Sequence, residues 1–477
     1  MAGHSHFRLP AEEPADFGQR TAGLSRLAVI VAVVGLVLTL LLGFQDYLRR
    51  FYFAYLTAFG FFLAIVLGAQ FFVLIQHATR AGWSVNVRRV AENLGAVAPT
   101  MAVLSLPIVV SVLLHKGDLY SWALPMSAAP AEEVHAAKTE PSPEGGGTAA
   151  KNEGDAIGNQ VLQQQLYGHV HGEIDIEHEK DPGHGNRHLD EVLLKKRGWL
   201  NPGFWLLRLV FYFGVWILIA RYYRGHSVAQ DVDGDYRHTS LMQKWSGVSL
   251  IALGLTLTFA AFDWFMSLDP HWFSTMFGVY YFGTAAVTMF AAMIVLIRLM
   301  QRLGYLREAV TAEHYHDLGK FMFAFTFFWG YVTFSQYMLL WYSSIPEEVT
   351  WMSRHGATTK DLVPGMGSQW GPWALVVLFG TFAIPFAGLL SRHAKRNVGA
   401  VTFWAVWCLV FQFCNMIWIV LPELRVGFRV TDLVATICAL FGVGGVVFFA
   451  FLRNTAAARI RPVNDPRVFE SAAFVNV

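Results

Sequence analysis

The sequence predicts an all-α protein that crosses a membrane about ten times, and three observations carry that expectation. Apolar residues make up 55% of the 477-residue chain and charged residues 15%, against roughly 25% charged in soluble globular chains. The missing charge is confined to long apolar runs, each close to the ~20 residues that a helix needs to span a ~30 Å hydrocarbon core. Aromatic residues such as Trp245, Trp272, Trp341, Tyr342, Trp370 and Trp373 gather at the ends of those runs, as an aromatic belt at the membrane surface requires.

In chain order the runs place spans at residues 24–42, 51–75, 97–114, 204–220, 245–268, 272–297, 318–342, 372–390, 398–421 and 433–452. Residues 1–23 are polar, with Glu12, Glu13 and Asp16, and the first apolar run lacks a small-residue cleavage site. That run is therefore expected to stay as a membrane helix. A polar insert, 115–202, separates the first three spans from the seven that occupy 203–452, and a polar tail, 453–477, closes the chain. The insert contains PSPEGGGTAAKNEG from Pro141, the composition of a partly disordered linker, and later HVHGEIDIEHEKDPGHGNRH. His169, His171, His178, His184 and His188 match no compact ligand spacing, so a solvated loop is expected there and no metal. Pro385 and the Gly442-Val-Gly-Gly445 run are candidate kinks in the eighth and tenth spans.

Orientation follows from Lys and Arg, which resist translocation. Arg80, Arg88 and Arg89, then Arg221, Arg224, Arg237 and Lys244, then Arg298, Arg302, Arg307 and Lys320, then Arg392, Lys395 and Arg396 fall on the side that holds both termini. The short loops of the other side hold only Arg49, Arg50, Arg354, Lys360, Arg425 and Arg429. Both termini are expected in the cytoplasm, with the insert on the far side. A net charge of +2 without basic tracts excludes a nucleic-acid partner. Cys408, Cys414 and Cys438 lie in apolar segments without a CxxC motif, which excludes a disulfide framework, an iron–sulfur cluster and c-type haem in this chain. A b-type haem needs two His on facing helices at one depth, and the few embedded His do not supply them.

Ionisable groups inside a membrane cost roughly 2.5–3.5 kcal/mol each, so they mark candidate sites. The densest set is Asp263-Trp-Phe-Met-Ser-Leu-Asp269-Pro270-His271, where the fifth span closes and the sixth opens. Asp263 sits more than a turn inside, Ser267 is one turn further on its face, and Asp269 and His271 lie at the edge. Such a set can accept protons from a hydroquinone or pass them outward. The structural alternative is that Asp269 caps the sixth helix and Asp263 is a protonated hydrogen-bonding residue. In the seventh span Asp317 and Lys320, three apart, can pair on one face. Gln336, Tyr337, Trp341 and Tyr342 supply aromatic and hydrogen-bonding groups that suit either a quinone ring or a surface belt, and Glu347 lies just beyond. His77, followed by Arg80, Trp83, Arg88, Arg89 and Glu92, is a candidate for loading protons from the cytoplasm. Arg208, Gln412, Asn415, Glu423 and Asp432 are expected to pack or snorkel. No residue is assigned a catalytic role.

Three of these segments carry a resemblance: HATRAGWSVNVRRVAENL from His77, AFDWFMSLDPHWFSTMFGVYYFG from Ala261, and DLGKFMFAFTFFWGYVTFSQYMLLWYSSIPEE from Asp317. With the ten spans and the insert, the chain resembles the NrfD-like family of membrane subunits, in particular the ActF type of alternative complex III, a quinol:cytochrome c oxidoreductase. The resemblance implies two four-helix bundles plus two helices in a bacterial inner membrane. It implies partners: a sister NrfD-like subunit, an iron–sulfur protein, and multihaem and monohaem cytochromes c. Iron–sulfur clusters and haem c would belong to those partners, and this chain would bind no cofactor beyond a possible quinone. It would support quinol oxidation or proton translocation as part of an oxidoreductase complex rather than alone. Asp263, Asp269, His271, Asp317 and Lys320 fall in the matching segments, but their roles do not follow from the match. A secondary transporter and a purely structural anchor for electron-transfer subunits are the competing expectations.

Overall fold

The computed structural model describes residues 16–44, 48–124, 191–343, 345–358 and 367–475. Nine helices among them are long and apolar enough to cross a membrane. In chain order these are α1 (Ala22–Gly43), α2 (Arg49–Ala78), α3 (Val85–Leu114), α4 (Pro202–Asp233), α5 (Tyr236–Leu268) and α6 (Phe277–Arg302), then α8 (Gly371–Leu390), α9 (Val398–Leu424) and α10 (Val430–Ala456). The seventh predicted span lies inside α7 (Ala312–Ser343), a helix of 32 residues that is long enough to cross but is not one of the nine. The described residues contain no strand, and the chain is an all-α multi-pass membrane protein.

Local chemistry sets the helix ends. Asn201 caps α4 by accepting from the Phe204 amide, with Pro202 at the first helical position where its missing N–H costs nothing. Gly234, at φ +67°, ends α4 in the left-handed conformation that glycine adopts without strain. Asp235 then caps α5 through the Arg237 amide, and Asn397 caps α9 through the amides of Gly399 and Ala400. In α8 a π-helical turn, Leu378–Ala383, ends two residues before Pro385; a proline that cannot donate to the preceding turn is a physical cause for that irregularity. The glycine run of α10 does not kink its helix, which continues from Val430 to Ala456. Instead Gly442 and Gly445 let α1 approach. A Cβ on Gly35 would lie 2.5 Å from the Gly442 nitrogen, and one on Gly445 would lie 2.6 Å from the Ala28 carbonyl. Small residues bring two membrane helices into backbone contact in this way.

α2 lies at the centre, 83% of its apolar window buried, against 28% for α1 and for α8 at the periphery. It packs on α3, α5, α6, α9 and α10. α4 packs along α5 and touches α3, while α6 packs on α7 and α9, and α7 and α9 both meet α8. α10 joins α1. Side-chain pairs from distant elements identify the two ends of this bundle. His77 and Tyr223 meet near the face where α1 begins and α10 ends, called here the terminal face. Arg50 and Asp432 meet at the opposite face, as do Arg208 and Asp263.

Several predicted boundaries move: α4 runs past residue 220 to Asp233, and α5 begins ahead of residue 245, at Tyr236. The third span begins at Val85, twelve residues ahead of its apolar run, because the polar stretch Val85–Gly95 is itself a fully buried helix. The sixth begins at Phe277 rather than near Trp272, with Asp269 to Met276 forming a turn. Of the predicted insert, residues 125–190 lie outside the described residues, and with them His135 and the five histidines of its later part.

Candidate functional site

The residues gathered in sequence around Asp263 separate in space into two ionic networks. Asp263 is 1% exposed on α5 and faces α4. Arg208 Nε donates to Oδ2 at 2.7 Å and Nη2 to Oδ1 at 2.8 Å, a two-pronged guanidinium–carboxylate pair. The Tyr212 hydroxyl donates to Oδ2 at 2.8 Å and Trp199 Nε1 to Oδ1 at 3.2 Å. The Ser267 hydroxyl donates at 2.6 Å to the Asp263 carbonyl, not to its side chain. Arg208 is held in turn by the Trp199 carbonyl at 2.9 Å and stacks over the Trp199 and Phe204 rings at 4.2 and 4.6 Å. Both carboxylate oxygens are thus taken by donors, including a cation that never loses its proton. Asp263 pairs with Arg208, which is a buried partner rather than a snorkelling side chain.

Asp269, 4% exposed, belongs to the second network. Its Oδ2 lies 2.9 Å from Arg354 Nη1 and its Oδ1 lies 3.4 Å from Arg425 Nη2, while Glu423 meets the same two arginines at 2.7 and 3.5 Å. The His271 amide donates to Asp269 Oδ1 at 3.1 Å and the His271 ring, half exposed, stands 3.7 Å away. Asp269 therefore does not cap α6; it ties the α5–α6 turn to the loops after α7 and α9. Burial pushes its carboxyl up, but the His271 contact, Arg354 and Arg425 outweigh burial and hold it well below the ordinary carboxylate range. His355, fully buried, stacks on Trp351 at 3.8 Å, and Trp351 stacks on Trp272 at 4.3 Å. Burial lowers His355 to about 3, so it stays neutral at physiological pH.

At the terminal face the NVRR segment of α3 forms a third network. Arg88 contacts Asp465 and lies 3.3 Å from Glu92; Arg89 lies 2.9 Å from Glu92 and 2.8 Å from Asp231 of α4. Arg89 also donates to the carbonyls of Ser227 and Arg459. All five charged side chains are buried. His77 is 2% exposed beside them, its ring 5.7 Å from that of Tyr223, and its Nε2 has no hydrogen-bond partner.

Polar groups line the interior between the first network and the third. Trp216 Nε1 donates to Thr256 at 2.9 Å, one helical turn from Tyr212. Gln70 donates to the carbonyls of Trp216 and Gly95, while its Oε1 is without a partner. Gln70, Glu92, Tyr223 and Arg224 line a cavity of about 10 Å³, room for about one water. A second buried polar group sits between α6, α7 and α9, where Tyr280 bonds Asn415 and both Asn415 and Trp329 bond Thr284.

The remaining candidates are not drawn into these sets. Asp317 and Lys320 form the expected ion pair on α7, next to His316, whose Nδ1 is unpartnered. Gln336 Oε1 is also unpartnered, whereas Tyr337 is 36% exposed and Trp341 and Tyr342 are more so. This aromatic set faces outward as a surface belt does. Glu347 falls in a short helix, Pro346–Arg354, its side chain outside the described residues. Sequence reading missed Asp231, Asp465 and His355 as members of buried sets, and it undervalued Arg208 and Glu423. Their partners are far away in the chain, and only the density of charge around Glu92 signalled such a network. No group of three or more His, Cys, Asp or Glu among the described residues can hold a metal ion. No protein-family model matches the chain, and no curated protein matches it.

Proposed function

We propose that this chain is a cofactor-free membrane subunit of a respiratory quinol:cytochrome c oxidoreductase of the alternative complex III kind, in which buried charge and polar groups serve proton movement alongside quinol oxidation. The supporting observation is the line of polar groups through α2, α3, α4 and α5. It runs from Asp263 and Tyr212 past Trp216, Thr256 and Gln70 to the cavity lined by Glu92 and Tyr223, with the His77 ring 5.7 Å from that of Tyr223. A scaffold that only spans lipid gains little from burying that many polar side chains, whereas a proton route needs groups that accept and donate in series, as Tyr212, Thr256, Glu92 and His77 can, with water bridging past Trp216, whose indole only donates. The NrfD-like resemblance supplies the complex in which such a route would act, and the packing of α2–α5 and of α6–α9, with α1 and α10 paired, is compatible with the two-bundle layout it implies.

On this reading His77 and Glu92 take protons at the terminal face, which the Lys and Arg distribution makes cytoplasmic in a bacterial inner membrane. Asp263 with Arg208 forms the opposite gate, where a proton arriving through Tyr212 competes with the guanidinium for the carboxylate. The sister NrfD-like subunit, the iron–sulfur protein and the cytochromes c carry the redox centres. Asp263→Asn is expected to lower quinol turnover or proton release by the assembled complex. Unchanged turnover and unchanged release, in a complex of full composition, would remove Asp263 from the route.

One observation favours the structural-anchor reading. Asp263 is fully satisfied by its donors, as a static strut would be. The same substitution separates the two readings, because an anchor loses stability without losing proton release per electron. For a transporter the support among the described helices is the interruption of α8 and of α3, which breaks at Ala96–Val97 and at Ser105, while α10 runs unbroken.

A further inference from the structure

The turn between α4 and α5, at the terminal face, brings two imidazoles together. His226 Nδ1 lies 2.7 Å from His238 Nδ1. His238 Nε2 lies 2.8 Å from Asp233 Oδ2, and the other oxygen of Asp233 accepts from the Asp235 amide at 3.0 Å. The turn itself is fixed: Gly234 takes φ +67°, Asp235 caps α5, and Gln230 reaches across to the Asp235 carbonyl and to Thr239. His226 packs edge-on against Tyr222, 4.5 Å between ring centres. These residues follow the predicted fourth span, which ends at residue 220, so the pair stands beyond the apolar run.

The hydrogen bonds determine what each nitrogen carries. A carboxylate accepts only, so Asp233 holds the proton of His238 on Nε2 and leaves a lone pair on Nδ1. That lone pair points at His226 Nδ1, which must then bear the single proton between the rings. If the proton moves through solvent to His226 Nε2, both imidazoles stay neutral and two lone pairs face each other across the contact. A carboxylate behind a histidine is the arrangement that orients and strengthens a metal-ligating imidazole. We propose that His226 and His238 form a binding site for a divalent transition ion of the zinc class, with Asp233 positioning His238 and water completing the shell. Imidazole nitrogens select such an ion over magnesium or calcium, which take oxygen ligands. Metal–nitrogen bonds of ~2.0–2.1 Å in tetrahedral geometry place the two nitrogens ~3.3 Å apart. The two nitrogens now face each other head-on, with 5.0 Å between ring centres, so the rings must separate by ~0.6 Å and each turn by about 35° to aim at one tetrahedral ion. A bound ion would staple α4 to α5 just below the Asp231–Arg89 contact.

The test uses the full chain in detergent, with His115, His135, His169, His171, His178, His184 and His188 replaced by Gln to silence the insert. Zinc titration by calorimetry should show one site that His226→Gln and His238→Gln each weaken at least about tenfold, and that Asp233→Asn weakens about 10–100-fold. Zinc should also raise the unfolding temperature of the parent and leave that of His238→Gln unchanged. Should the substitutions impair folding, the unsubstituted pair is read directly: zinc should protect His226 and His238 from diethylpyrocarbonate, mapped by mass spectrometry. Binding that survives both histidine substitutions, an absence of binding by the parent at millimolar zinc, or full modification of both rings in its presence would overturn the site.

Discussion

Replacing Arg208 by Met keeps much of the stem that packs against Trp199 and Phe204 but removes the guanidinium. Asp263 then loses both donors at 2.7 and 2.8 Å and keeps only Tyr212 and Trp199, while remaining 1% exposed. Breaking a buried pair in this way leaves an uncompensated charge and costs about 3–5 kcal/mol. The Trp199 carbonyl also loses its donor, which adds about 1 kcal/mol. Asp263→Asn alone strands the cation instead and is expected to cost a similar amount, eased by the amide oxygen that still accepts from Arg208. The double variant strands neither charge, so its loss should be smaller than the sum of the single losses by about 2–3 kcal/mol. The assay is a double-variant cycle on the purified chain in one detergent, with stability read from reversible denaturant unfolding. Additive losses would mean that the two side chains are not coupled, and the first network as described would be wrong.

Three further outcomes follow from the other contacts. Burial holds His355 neutral in the folded chain at about 3 while an unfolded histidine titrates near 6.5. Stability is therefore complete above about pH 6.5 and falls by about 1.4 kcal/mol for each unit of acidification towards 3. The lowered Asp269 adds a loss only below its unfolded value, near pH 3.8. Thermal unfolding between pH 7 and 4.5 should show this slope, and His355→Phe, which keeps a ring and cannot titrate, should flatten it. Gly442→Val should separate α1 from α10, since the Cβ alone would come within 2.8 Å of the Leu36 nitrogen; crosslinking between cysteines on the two helices should fall with it. Lys320→Met should change stability by under about 1 kcal/mol, because the Lys320 side chain is 46% exposed and its ion pair with Asp317 is screened; a loss above about 2 kcal/mol would show that the pair is buried by a neighbour.

The membrane spans were legible because each is a local property. A run such as Ala22–Gly43 must be apolar along its whole length to face lipid, and any window of that size reveals it. The buried charge networks were legible only as fragments. Arg208 reads as a surface arginine near a helix start, and the carboxylate that makes it a buried partner comes 55 residues later. Arg88 and Arg89 read as cytoplasmic anchors, while their acids arrive from Asp231 and Asp465, the latter in a tail that carries no apolar signal. The polar stretch Val85–Gly95 does not read as part of the third span for the same reason: its charge is neutralised by distant segments. Asp263 and Asp269 sat six residues apart in one motif, yet the turn after α5 aims them at different helices, and linear spacing does not encode that direction. His355 gave no signal, since its burial depends on Trp351 and Trp418 closing over it.

The central functional claim, membership of a respiratory oxidoreductase, is tested most directly by mass spectrometry of what accompanies the chain after extraction in a mild detergent. A second polytopic subunit, an iron–sulfur protein and multihaem and monohaem cytochromes c are expected in stoichiometric amounts. A chain that purifies alone at full occupancy of the membrane, and that takes up a solute when reconstituted in liposomes, would contradict that membership and establish a transporter.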